Sequence, residues 1–184
     1  GQSKRMQGEN KLLKKYKKKY LINHILNSLI KSKVNKIIVV LGYENRKIKK
    51  ISLKSKKINF VFNSQHLKGI STSIKRGLKK ISKKNIGFLI AHADMPLVSK
   101  TIINTLCSGL KNSKKEIFVP VYKNKFGNPL AFKYSMIKSL KKIKGDRGAK
   151  KLIRLNKSKV KFVKIKSKSI LIDFDQLKDF PLTI

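Results

Sequence analysis

Phe88-Leu89-Ile90-Ala91-His92-Ala93-Asp94-Met95-Pro96 is the stretch that most restricts how this chain can fold. An apolar run of strand length ends at a carboxylate, and Pro96, which has no backbone N–H, forbids the strand from continuing. In an open α/β sheet, ligands bind at the carboxyl ends of the strands, so Asp94 stands where a metal or a phosphate would sit. The competing reading is a turn aspartate ahead of a proline. Taken alone, the stretch leaves the two readings even.

The rest of the chain supplies the alternation that an α/β fold needs. Residues 12–32 have helical spacing, with Leu21, Ile25, Leu26, Leu29 and Ile30 on one face and His24 as a structural histidine within it. Residues 36–42 predict a buried strand ending at a turn glycine, 45–53 a short helix, and 58–62 a strand ending at Asn63. Residues 68–74 lead into a helix through Lys80, with Ser71 or Thr72 as its N-cap. Beyond the central strand come a helix over 99–110, a strand over 116–122, a turn-rich link, a short strand over 130–132 and a helix over 134–143. A glycine-containing loop at 145–149 opens another helix reaching residue 156. Residues 159–165 and 169–172 alternate like paired strands, and Asp173-Phe174-Asp175 precedes a last short helix. This order predicts an α/β fold with a mainly parallel sheet and a small antiparallel excursion around 116–132. With no repeat and no linker, residues 1–184 read as a single domain.

The charge needs its own account, because 47 Lys and Arg against eight acids resembles a nucleic-acid binder. Only five of the basic residues are arginine (Arg5, Arg46, Arg76, Arg147, Arg154), and arginine is the residue suited to bidentate phosphate and guanine recognition. The lysines are spread over nearly every segment. They read as a solvated surface, with no specific nucleic acid as partner. No run approaches the roughly 20 apolar residues that cross a bilayer, so no membrane partner is expected. Cys107 is the only cysteine, which excludes an intramolecular disulfide; the cytoplasm is the expected location.

The acids are unevenly placed. Asp94, Asp173, Asp175 and Asp179 sit at or just after two predicted strand ends, while Glu9 and Asp146 lie in glycine-containing loops. Two carboxylates from different strands suit Mg²⁺, with waters and substrate phosphates completing the octahedron. The polar stretch 1–11 combines Gly1, Gly8, Ser3 and the pair Lys4-Arg5, a composition that suits phosphate, although its spacing is neither a P-loop nor a dinucleotide fingerprint. Together these features point to phosphoryl or nucleotidyl transfer, where positioning and charge neutralisation carry most of the catalysis. No Ser-His-Asp or Cys-His set is evident.

Gly1-Gln2-Ser3-Lys4-Arg5-Met6 followed by Asn10-Lys11-Leu12-Leu13 resembles the GxSxRM…NKLL signature of the MobA-like nucleotidyltransferases. The resemblance runs on in register through Ile38-Val39-Val40-Leu41-Gly42, Asn63, Gly69-Ile70-Ser71-Thr72-Ser73 and Ala93-Asp94-Met95-Pro96. It continues in Gly127-Asn128-Pro129, Gly145-Asp146-Arg147-Gly148-Ala149 and Asp173-Phe174-Asp175. Within that family the chain is most similar to the molybdenum cofactor cytidylyltransferase branch. The resemblance implies a Rossmann-like sheet flanked by helices, of the nucleotide-diphospho-sugar transferase type, binding a nucleoside triphosphate with Mg²⁺. It implies that Gly1, Ser3 and Arg5 contact the triphosphate and that Lys11 stabilises its charge, with Arg5, Lys11 and Asp94 as the catalytic set. Asn63, Gly69 and Ser73 would lie around the nucleoside, and Gly127, Asn128, Asp146 and Arg147 would shape the acceptor side. Asp94 and Asp175 would be the metal ligands, with Asp173 as the substitute. CTP would be the donor and a molybdopterin-type phosphate the acceptor, with a molybdoenzyme or its chaperone as a further partner.

Departures from the family pattern carry expectations of their own. The family opens with a strand and the residues LAAG, of which only the glycine stands here; Gln7 replaces a glycine, and Gln176-Leu177-Lys178-Asp179 replaces Thr-Pro-Glu-Asp. The chain is therefore expected to be a fragment in which an apolar segment of about 5–8 residues precedes Gly1. The central sheet should then show a gap, or another segment invading it. GTP as donor, or a sugar phosphate as acceptor, is the near alternative in function. A non-catalytic basic nucleotide- or nucleic-acid-binding homologue is the distant one.

Overall fold

The computed structural model describes residues 9–145 and 150–180. Its first element is a 3-10 turn, Lys11–Leu13, capped by the Asn10 side chain, which accepts from the Leu12 N–H at 3.1 Å. The long helix expected from residue 12 does not form there. Residues 14–19 hold Tyr16 as their one apolar side chain and so have no apolar stripe for a helix to bury. They fold as a tight hairpin of β1 (Lys15–Tyr16) and β2 (Lys19–Tyr20), with Lys17 and Lys18 at positive φ in the turn. Helix α1 (Leu21–Ile30) begins where the stripe begins, burying Leu21, Ile22, Ile25 and Leu26. His24 donates to the Tyr16 carbonyl at 2.7 Å, the structural role expected of it.

The following elements are β3 (Ile37–Leu41), α2 (Asn45–Ile51), β4 (Ile58–Phe62), α3 (Ile70–Leu78), β5 (Gly87–Ile90), α4 (Lys100–Asn112), β6 (Ile117–Tyr122), β7 (Lys125–Phe126), β8 (Leu130–Lys133), α5 (Ile137–Lys141), α6 (Lys150–Leu155) and β9 (Val160–Lys164). Two boundaries differ from expectation for local reasons. Helix α3 starts at Ile70 with Gly69 in the cap position, so neither Ser71 nor Thr72 caps it; the Thr72 hydroxyl instead donates to the Gly69 and Gln65 carbonyls. Residues 168–171 form a 3-10 turn rather than a strand beside β9, because the Ser167 hydroxyl accepts from the Ser169 N–H and turns the chain.

The strands form a mixed sheet flanked by helices. Strands β3 and β4 pair in parallel, as do β6 and β9, while β8 runs antiparallel between β5 and β6 and β7 closes a hairpin on β6. The excursion expected over 116–132 thus lies inside the sheet. Side chains alternate across β6 with period two. Ile117 and Val119 face a core shared with Leu78, Leu140 and Leu152, whereas Phe118 faces Ile103, Leu106 and Ile170. Helix α1 joins the two groups of strands, since Ile25 packs in the α4 core and Ile22 and Leu26 pack on Ile37 and Leu41 of β3.

The expected gap is present. Among the described residues β5 bonds only to β8 and β3 only to β4, and a cavity of about 980 Å³ lies between β3 and β5, walled by residues 37–40 and 87–90. All four residues of β5, apolar as they are, remain only partly buried for this reason. At its carboxyl end the cavity reaches Lys11, Ser73 and Asp94. Among the described residues no helix is long and apolar enough to cross a membrane.

Hydrogen exchange should read this asymmetry directly. Amides of β6, bonded to β8, β9 and β7, are expected to exchange most slowly, and those of β3 and β5 that face the cavity at least tenfold faster. Equal protection in β5 and β6 would show that the gap closes in solution.

Candidate active site

Three segments distant in sequence meet at the carboxyl end of β5. Lys11 comes from the capped 3-10 turn, Asp94 from the end of the apolar run, and Asp173 and Asp175 from the segment after the 168–171 turn. One carboxylate oxygen from each of Asp94, Asp173 and Asp175 lies within 4.8 Å of the others. Lys11 Nζ donates to Asp94 Oδ2 at 2.5 Å and also to Asp175 Oδ1, with its side chain 15% exposed. Burial opposes the charge on this lysine, but the carboxylates of Asp94 and Asp175 outweigh it through charge and hydrogen bonding, and its pKa stands above the ordinary value.

Backbone contacts explain why the acids converge. The Phe174 N–H donates to the Asp94 carbonyl at 2.9 Å, laying the C-terminal segment against the end of β5. Phe174 is 5% exposed and meets Tyr16 and Phe180 edge-on, so Asp173 and Asp175 on either side of it turn together toward Asp94. Asp179 takes a different part: its Oδ2 accepts from the Asp175 and Gln176 N–H groups, both at 2.7 Å, and closes the turn behind Asp175.

Gly127 and Asn128, expected on the acceptor side, brace this arrangement. The Gly127 N–H donates to Pro120 and the Asn128 N–H to the Ile170 carbonyl, both at 2.9 Å, which ties the β7–β8 link to the 168–171 turn. A Cβ on Gly127 would stand 2.4 Å from that same Ile170 carbonyl oxygen, so glycine is required by close approach. Asn63, Gly69 and Ser73 come together around the start of α3, where Ser73 lines the cavity. The Asn63 amide donates to Thr72 Oγ1 at 2.9 Å and to Ser73 Oγ at 3.0 Å, and its Oδ1 accepts from the Gln65 N–H. Asn63, 4% exposed, therefore organises the loop 65–73, while Gly69 holds a φ of 95° at the start of α3. Gly1, Ser3, Arg5, Asp146 and Arg147 lie outside the described residues.

The donor set fits a divalent cation of the hard, oxygen-seeking kind. Asp94 Oδ1 is buried and has no hydrogen-bond partner, although Oδ2 of the same group is paired with Lys11. A buried carboxylate oxygen in that state carries a desolvation cost that a cation would remove. Asp173, the substitute ligand expected from the sequence, belongs to the cluster as its exposed member. The signal for it is the two-residue spacing around an aromatic residue, which sends both acids to one side when the ring is buried.

The fold and site define a nucleotidyltransferase of the MobA-like kind. The chain belongs to the family of the MobA-like NTP transferase domain, whose model matches residues 1–161. No curated protein matches it. Among solved structures it is similar in fold to Rv0371c from Mycobacterium tuberculosis H37Rv, at 21% identity and a TM-score of 0.85, covering 98% of this chain and 90% of that one. A manganese complex of Rv0371c from the same organism aligns at 20% identity and a TM-score of 0.79, over 94% and 90% of the two chains. Molybdopterin-guanine dinucleotide biosynthesis protein A from Archaeoglobus fulgidus aligns at 16% identity and a TM-score of 0.68, over 98% and 91%.

Two substitutions separate the site from its scaffold. Asp94→Asn should cut turnover by about 10²-fold or more while the circular dichroism spectrum stays that of the parent; loss of the folded spectrum would make Asp94 a structural residue. Gly127→Ala should do the reverse at first, lowering stability by about 1–3 kcal/mol in denaturant titration through its clash with Ile170.

Proposed function

We propose that this protein transfers a nucleoside monophosphate, CMP from CTP, onto the phosphate of a molybdopterin-type acceptor and releases pyrophosphate. The observation that carries the reading is the meeting of Lys11 with Asp94, Asp173 and Asp175 at the mouth of the cavity between β3 and β5. Asp94 and Asp175, with Asp173 beside them, would hold a divalent cation, Mg²⁺, which supplies positive charge to the triphosphate.

The chain's own groups then divide the work. Lys11 sits where its ammonium can neutralise negative charge building on the α-phosphate, and Arg5, with Gly1 and Ser3, would hold the outer phosphates. Ser73 and Gly69, set in place by Asn63, present the loop against which the nucleoside lies. Gly127 and Asn128 brace the turn that leads to Asp173 and Asp175, and Asp146 and Arg147 would complete the acceptor side. An oxygen of the acceptor phosphate attacks the α-phosphorus, the bond from that phosphorus to the bridging oxygen breaks, and pyrophosphate leaves. The attacking oxygen is already ionised, so no general base is needed, and positioning with charge neutralisation suffices. Affinity for a molybdoenzyme or its chaperone would follow from the need to hand over the product.

A nucleotide panel tests this. The protein is incubated with molybdenum cofactor, Mg²⁺ and each of the four NTPs, and pyrophosphate is measured. Release with CTP at a rate at least tenfold above the other three is the expected result. Preference for GTP, or turnover with a sugar phosphate in place of the cofactor, would move the specificity within the same reaction. No release with any pair would overturn the catalytic reading.

A further inference from the structure

We infer that Lys11 is the resident cation of the carboxylate site, and that metal and nucleotide gain the site by exchange with it, each helping the other to bind. This rests on the reading above, that the acids take a divalent cation and Lys11 a phosphate.

The geometry starts the argument. Lys11 Nζ bonds to Asp94 and to Asp175 at once, through the two oxygens that face each other across the cluster. A divalent cation drawing on the same oxygens would sit about 2.0–2.6 Å from each. That point is already taken by the ammonium, and two cations cannot share it. Metal alone therefore has to expel Lys11 against the attraction of both carboxylates.

The lysine can change partners by moving its side chain alone. Its backbone is fixed by the Asn10 cap and by the Lys14 N–H donating to the Lys11 carbonyl at 3.1 Å, so the motion falls to a flexible four-carbon stem. The stem also lines the cavity mouth together with Ser73 and Asp94, which gives its head space to turn into. As a ligand for these acids the ammonium is moreover imperfect, since it leaves Asp94 Oδ1 buried and without a partner.

A triphosphate changes the balance by offering Lys11 another set of anionic oxygens. Once Nζ moves to a phosphate, Asp94 and Asp175 are released to the metal, and the metal in turn holds the phosphates. Coupling of this kind is reciprocal: whatever factor the nucleotide adds to metal affinity, the metal adds to nucleotide affinity. Lys11 is the element that transmits it.

The test is Mn²⁺ binding by the whole chain, followed by electron paramagnetic resonance of the free ion. Parent, Lys11→Met and Asp94→Asn are compared without nucleotide and with α,β-methylene-CTP, correcting for Mn²⁺ bound by free nucleotide. Without nucleotide, Lys11→Met should bind Mn²⁺ at least tenfold more tightly than the parent. The analogue should tighten Mn²⁺ binding in the parent, and that enhancement should shrink severalfold in Lys11→Met. Because the substitution leaves three acids facing one another, Lys11→Met should melt lower than the parent in chelator and recover more than the parent when Mn²⁺ is added. If Lys11→Met is too unstable to purify, Lys11→Gln is measured in its place with the same expectation. Equal or weaker Mn²⁺ binding by the lysine variant, with Asp94→Asn still the weakest, would overturn the exchange and leave the metal site standing. Parent-like Mn²⁺ binding by Asp94→Asn would overturn the metal site itself, and the exchange with it.

Discussion

The bridge from Lys11 to Asp94 and Asp175 spans 83 and 164 residues of sequence, and it brings the 3-10 turn to the acids that the Phe174 N–H bond has already drawn together. Its three partners sit on elements with little else in common: a single 3-10 turn, the end of a four-residue strand, and an irregular C-terminal segment. The sheet does not join them, since among the described residues no hydrogen-bonded strand links the β3–β4 pair to the five strands that include β5. Cohesion across that break comes from α1, whose apolar stripe is divided between two cores, and from the charge bridge at the carboxyl ends. Partly buried ion pairs are costly to desolvate and repay the cost only when their geometry is good. Here one ammonium bridges two acids, so its loss would raise the negative charge at this junction.

The open edges of β3 and β5 impose a second constraint. Buried backbone groups need partners, and in this fold the two edges that border the cavity do not supply them to each other. Much of the walls is nevertheless apolar, with Ile25 and Leu110 on one side and Ile74 and Leu78 on the other, although lysines such as Lys33, Lys80 and Lys111 share the lining. A space with apolar side walls and peptide edges facing inward has the character of a strand position, not of a nucleoside pocket. The chemistry therefore collects at the mouth of the cavity rather than in its depth, where Lys11, Ser73 and Asp94 stand. This is also why Phe88, Leu89 and Ile90, which read as a buried central strand, are only half withdrawn from solvent.

Much of this was legible because the decisive signals were local. The apolar run ahead of Asp94 and Pro96 marks a strand, and Asp94 stands four residues beyond the carboxyl end of β5. The helix expected over 99–110 forms as α4, with the Ser99 side chain as its cap. Where the structure departs from expectation, a local cause and a distant partner act together. Tyr16 stands in a lysine run with no apolar stripe, and its ring meets Phe174 edge-on. Residues 168–171 turn through the Ser167 hydroxyl, and bonds from Asn128 with packing on Gly127 hold that turn. That Asn63 gives both its amide protons to the loop behind it is likewise something no pattern of neighbouring residues reveals.

The charge of the whole chain gives the site its particular character. Three of the eight acids are gathered in one cluster, in a protein whose formal net charge is +39. A field so positive draws polyphosphates toward every face and opposes the approach of free cations. Only a local excess of carboxylate can reverse that sign, and any such excess will attract the protein's own lysines first. Lys11 between Asp94 and Asp175 is the result, a compensation made within the chain at the one place where the surrounding field is inverted. An anionic nucleotide, favoured by the field and able to take the lysine, is the natural agent to undo it. The same composition that looked like a generic polyanion surface thus leads to a specific dependence: the metal's access to the acids is governed by what the phosphates offer to Lys11.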